Sequence, residues 1–308
     1  MTALSRFLAG MHRHKMWAWA GLLVYACAVT FPHQPVQDVV GALVNKISRN
    51  RVYQLSVALA FIEAAVFMAL FVRNVSRLTE RRWLASYWIL CFLLMIGTWR
   101  LFMANNTELV HFPQYFPEGM ALLALTLSPV ESLAWITLFG GLDEAYQYIY
   151  LTKGRATSLD FNDIYMDVIG GAAGIIFAMA MLRCESLRPE SRTGSGEPPR
   201  ESWGALWKRI LLSPGVLVIF GILLAGTVLL WTGAMVLYEP LKTPTPHWFA
   251  LSNLQTEAFW YFNDAVLGPH HFHELESIEG VLLILVTIAL FVPLERKLRV
   301  LAKSAFER

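Results

Sequence analysis

Residues 111–127 read HFPQYFPEGMALLALTL, residues 132–151 read SLAWITLFGGLDEAYQYIYL, and residues 161–182 read FNDIYMDVIGGAAGIIFAMAML. Each run approaches the ~20 residues that cross a bilayer as a helix. Yet each carries ionisable or polar groups, and a charge inside a membrane helix is costly unless it is paired or hydrated. His111, Tyr115 and Glu118 open the first run; Glu144 and Gln147 close the second; Asp163 and Asp167 open the third. Arg155 lies in the intervening loop. A path that crosses the bilayer three times in alternating directions gathers these groups near one leaflet.

The composition sets the same frame. Hydrophobic residues make up 56% of the 308 and charged residues only 16%, against about a quarter charged in soluble domains. Eleven Trp and nineteen Phe suit interfacial anchors and lipid-facing surface. No nucleic-acid module, Gly-rich phosphate loop or nucleophile elbow is present, so nucleic acid is not an expected partner; the cofactor is unknown. Cys27, Cys91 and Cys184 have no metal-like spacing and read as reduced thiols.

Outward from the centre, the chain divides into four segments. Residues 1–106 hold a basic start and three apolar runs, at 16–31, 52–72 and 83–103, with 32–51 read as a mildly amphipathic loop. The first run, with its basic lead, has the grammar of a signal peptide but reads as a retained span. Residues 107–182 are the three-helix core, whose first run is short and carries Pro113 and Pro117 near its start; proline removes backbone donors there, so that end is expected to bend or meet a hydrated cavity. Residues 183–209, rich in Pro, Gly, Ser and charge, form a solvated linker. Residues 210–308 add runs at about 210–238 and 275–294, separated by an aromatic and histidine-rich loop. Of the 25 Lys and Arg, 18 fall on the side of the N-terminus when the spans alternate, and basic loops stay cytoplasmic. The expected fold is all-α: a polytopic transmembrane bundle of about eight spans, with both termini cytoplasmic and the polar groups of the core extracytoplasmic.

Helical spacing puts Glu144 with Gln147, and Asp163 with Asp167, on single faces, while Glu118 follows His111 by two turns. Three polar faces point inward, where the planar fork of Arg155 could bridge carboxylates. Gly170 and Gly174 supply a small-residue seam for a neighbouring helix, and Gly140 with Gly141 could do the same. Three readings stay open: an ion-pair network pinning helices, a binding site for a lipid headgroup or amphiphile, and acid–base catalysis on a lipid-linked substrate.

The segments HFPQYFPEG, DEAYQ, GR and DIYMDVIGGAAG resemble, in order, those of the VanZ-like family of bacterial membrane proteins. The matching positions are His111, Tyr115, Gly119, Glu144, Gln147, Gly154, Arg155, Asp163, Gly170 and Gly174, over about the central quarter of the chain; Asp167 stands where the family usually has Asn. The resemblance implies a bacterial inner-membrane protein with a cell-envelope role at the outer leaflet. Its partners would be membrane lipids, with a lipid-linked or lipoglycopeptide ligand, since the family name comes from resistance to teicoplanin. It does not choose between a binder, a hydrolase or transferase, and a structural subunit. A second candidate site lies in the late loop, where His270, His271, His273 and Glu274 cluster and could bind a divalent metal.

Overall fold

The computed structural model describes residues 3–75, 81–104, 106–151, 159–186, 202–238, 249–252, 261–263 and 270–306. The expected network centre Arg155, and residues 187–201 of the linker, lie outside them. Among the described residues the α-helices are α1 Ala3–Arg13, α2 Lys15–Thr30, α3 His33–Ile47, α4 Arg49–Val75, α5 Arg81–Leu101, α6 His111–Thr126, α7 Pro129–Tyr146, α8 Phe161–Ser186, α9 Trp203–Leu211, α10 Pro214–Trp231 and α11 Ser277–Phe306. Two short strand pairs complete the picture: β1 Met235–Tyr238 lies parallel to β2 Phe249–Ser252, and β3 Tyr261–Asn263 lies antiparallel to β4 His270–Phe272.

Five of these helices, α4, α5, α8, α10 and α11, are long and apolar enough to cross a membrane. Their surroundings differ sharply. The apolar stretch of α8 is 100% buried, whereas those of α4 and α10 are only 6% buried. An apolar helix buried on every side is the centre of a bundle, and one that displays Leu59, Phe61 and Ile62 outward needs hydrocarbon around it. Helices α4, α5, α6, α7 and α11 close around α8.

Glycine explains how α6 and α8 come so close. A Cβ at Gly174 would strike the Phe116 carbonyl, one at Gly119 the Gly171 carbonyl, and one at Gly170 would sit 2.6 Å from the Phe112 carbonyl oxygen. Backbones meet there because no side chain intervenes. Gly140 of α7 faces the Asp167 side chain at 2.6 Å from a would-be Cβ, while Gly141 meets nothing within 4 Å. The seam therefore runs through Gly140 but not through Gly141.

The connections are more structured than the sequence reading has them. The stretch read as a loop over 32–51 contains α3, set off from α4 by Ser48 at φ +79°. The run read as one span over 210–238 divides into α9, α10 and β1, because Pro214 starts a new helix at its N1 position. On the opposite side from the α6 N-terminus, Leu127 ends α6 in the left-handed conformation and Ser128 caps α7, accepting from the Glu131 N–H at 3.1 Å. Glu295 of α11 is buried against this turn: it accepts from Ser128 Oγ at 2.5 Å and from the Val130 N–H at 2.8 Å, and it pairs with Arg209 of α9 at 3.0 Å. An anion at a helix N-terminus is well placed. Helix α1 buries Ser5, Leu8 and Ala9 and reaches α6 through His12, whose Nδ1 lies 2.9 Å from the Ala124 carbonyl oxygen. Burial holds the His12 imidazole below its ordinary value; the Ala124 carbonyl works against this and nearby Lys15 works with it.

Candidate functional site

The N-terminus of α6 faces the first two turns of α8. His111 is the first residue of α6, and Asp163 and Asp167 are one turn apart on α8. The imidazole fits between them: Nδ1 lies 2.9 Å from Asp167 Oδ1 and Nε2 lies 3.4 Å from Asp163 Oδ2. Both ring nitrogens face carboxylates, and an imidazolium has a donor for each. The side chains of His111 and Asp167 are 6% and 0% exposed, and that of Asp163 is 16% exposed, so the cluster opens on the Asp163 side.

Deeper in the bundle the acids multiply. Tyr115, one turn below His111 on α6, is buried within electrostatic reach of Asp167, Asp143, Glu118 and Glu144. Glu118 is buried beside Asp167 and Asp143. Glu144 of α7 is buried near Asp163 and His111, and it accepts a 2.5 Å hydrogen bond from Gln147 Nε2 in the single π-helical turn Gln147–Leu151 that ends α7. Five carboxylates thus surround one phenol and one imidazole. Glu118 Oε1, Asp167 Oδ2 and both oxygens of Asp143 have no hydrogen-bond partner among the described residues. Buried acceptors in that number need donors.

Of the residues read from the sequence, His111, Tyr115, Glu118, Glu144, Gln147, Asp163 and Asp167 all contribute to this cluster; Arg155 lies outside the described residues. The structure adds two that the reading passes over. Asp143 adjoins Glu144 yet points its fully buried carboxylate toward α3, with Oδ2 3.3 Å from His33 Nε2. Its position in DEAYQ was a usable signal; nothing in the sequence marked His33, 110 residues away in an apparent loop.

The late-loop residues behave differently. His273 is buried, donates its backbone N–H to the Leu101 carbonyl, and places Nε2 2.9 Å from Glu279 Oε2 at the start of α11. Buried Asn162 locks this loop over α8, donating to the Phe102 and His273 carbonyls at 2.6 and 3.0 Å and accepting from the Leu275 N–H at 2.7 Å. His271 and Glu274 are exposed, and the His270 side chain lies outside the described residues. Among the described residues no group of three His, Cys, Asp or Glu side chains could hold a metal ion.

Comparison with known proteins returns no matching family model, no matching curated protein and no matching solved structure.

Proposed function

We propose that this chain is a VanZ-like bacterial inner-membrane protein that engages an amphiphilic or lipid-linked molecule at the extracytoplasmic leaflet. The observation that carries the reading is the cluster of buried carboxylate oxygens beneath His111 and Asp163, several of which have no hydrogen-bond partner among the described residues, at the end of the bundle where three apolar helices meet. Such acceptors suit a ligand with several hydroxyl or amine donors and an apolar tail. In this reading α2, α4, α5, α6, α7, α8, α10 and α11 make eight crossings with both termini cytoplasmic. The excess of Lys and Arg on that side supports it, as does the order of VanZ-like segments on α6, α7 and α8.

The His111–Asp167 pair favours one alternative, a membrane-embedded hydrolase or transferase acting on a lipid-linked phosphate or sugar. A histidine oriented by a buried carboxylate is an acid–base group when a substrate reaches it. Lipids that co-purify with the protein separate the two. For a binder, mass spectrometry finds one species enriched over the bulk membrane, and Glu144→Gln loses it at unchanged folded yield. For an enzyme, Glu144→Gln accumulates a species that the wild type lacks. A lipid profile equal to the bulk membrane in both proteins removes both readings.

A further inference from the structure

A second feature lies on another face of α6. Helices α4 and α5 stand apart along their middle, and α6 and Ala173 of α8 floor the gap. The resulting groove encloses about 170 Å³ and opens along its outer side, between two helices whose apolar stretches are only 6% and 22% buried. Phe112, Pro113 and Phe116 line it. At 100° per residue these occupy a different face from His111, Tyr115 and Glu118.

Two aromatic tiers bound the groove. At one end Phe61 meets Trp99 edge-on at 6.4 Å; at the other Phe71 stacks on Trp88 at 4.3 Å. Between the tiers, near the middle of the 27-residue α4, Glu63 is the one ionisable side chain among the residues that line the groove. It forms no hydrogen bond or ion pair with any described residue. Arg100, over the Trp99 ring at 5.8 Å, is exposed and does not line the groove.

A lone carboxylate midway along a helix long and apolar enough to cross a bilayer is expensive there and marks function by default. A purely hydrocarbon occupant would leave it unsatisfied. Aromatic faces attract cations, and a carboxylate supplies the counter-charge. We propose that this groove binds a lipophilic cation, an organic ammonium or phosphonium carrying apolar groups, which enters from the membrane, places its charge beside Glu63 at the Trp99 end and lays its apolar groups along Phe92 toward Trp88. This site lies on another face of α6 from the acid–histidine cluster, with Tyr25 of α2 within electrostatic reach of both Glu63 and Glu118.

Radiolabelled tetraphenylphosphonium and the purified full-length protein test it. Saturable binding is expected, weakened at least about tenfold by Glu63→Gln, as loss of a half-buried charge partner implies. Phe92→Leu, which keeps the lining apolar but removes a ring that packs on the phenyl groups of the probe, should weaken it about threefold. Melting curves for both variants verify folding. Decyltrimethylammonium should displace the probe, and decanol at the same concentration should not. The proposal fails if the wild type shows no saturable binding, if Glu63→Gln binds as tightly as the wild type, or if decanol competes equally. It fails too if Glu118→Gln, rather than Glu63→Gln, abolishes binding.

Discussion

Replacing His111 by Ala would leave Asp167 as a carboxylate with 0% side-chain exposure and no cation beside it among the described residues. Breaking a buried pair by removing one partner costs about 3–5 kcal/mol. Asp163 reaches solvent and can hydrate, so only Asp167 is orphaned, and about 3 kcal/mol is the expected loss. Asp167→Asn keeps an acceptor for the His111 Nδ1–H and should cost about 1–2 kcal/mol. The informative protein is the double variant. With His111 gone, a buried amide is cheaper than a buried carboxylate, so His111→Ala/Asp167→Asn should be at least as stable as His111→Ala alone. The measurement is reversible unfolding in detergent followed by tryptophan fluorescence, arranged as a double-mutant cycle. If the two single losses simply add in the double variant, or if His111→Ala unfolds like the wild type, the imidazole does not neutralise a buried acid and the reasoning is wrong.

Three further outcomes test the packing. Gly174→Ala drives a methyl group into the Phe116 carbonyl and should cost about 3 kcal/mol, whereas Gly141→Ala, with open space around it, should be neutral or stabilising by up to about 1 kcal/mol; the same unfolding assay compares them. Glu295→Gln removes the charge that binds Arg209 and should lower stability by about 1–3 kcal/mol, with Arg209→Ala giving an overlapping rather than additive loss. His12 is held below its ordinary value of 6.5 when α1 is docked, so the undocked helix takes up protons first. Docking is then fully stable above pH 6.5 and weakens as pH falls through it. Hydrogen exchange over residues 3–13, corrected for intrinsic rates, should accelerate at pH 5.5 relative to pH 7.5, and His12→Gln should remove that difference.

The sequence reveals what depends on local pattern. The apolar runs that become α4, α5, α8 and α11 are legible because length and hydropathy alone set them, and the polar faces of Asp163 and Asp167 follow from helical spacing. Helix α3 reads as a loop because Pro35, Gln34 and Asp38 dilute its apolar stripe. Glu295 reads as part of a basic tail, since its partners Ser128, Val130 and Arg209 come from distant segments. Glu63 is hidden for a different reason: one acid in a long apolar run has no neighbour in sequence to form a motif. Only the splaying of α4 from α5 shows that it faces a groove. Asn162 and His33 are likewise defined by contacts more than 50 residues away.

The enclosure of the apolar stretch of α8 bears on how the protein is made. Helices α6 and α7 emerge from the ribosome before α8 and can cover part of it at once. The flank covered by α11 has no permanent neighbour until translation has passed residue 277, almost a hundred residues later. Through that interval the nascent chain holds its central helix half-wrapped, with a polar upper end and an apolar lower end both facing lipid or insertion machinery. The bundle around α8 is therefore completed only after α11 has been synthesised. A chain truncated before α11 would present membrane quality-control proteases with a recognisable unfinished surface.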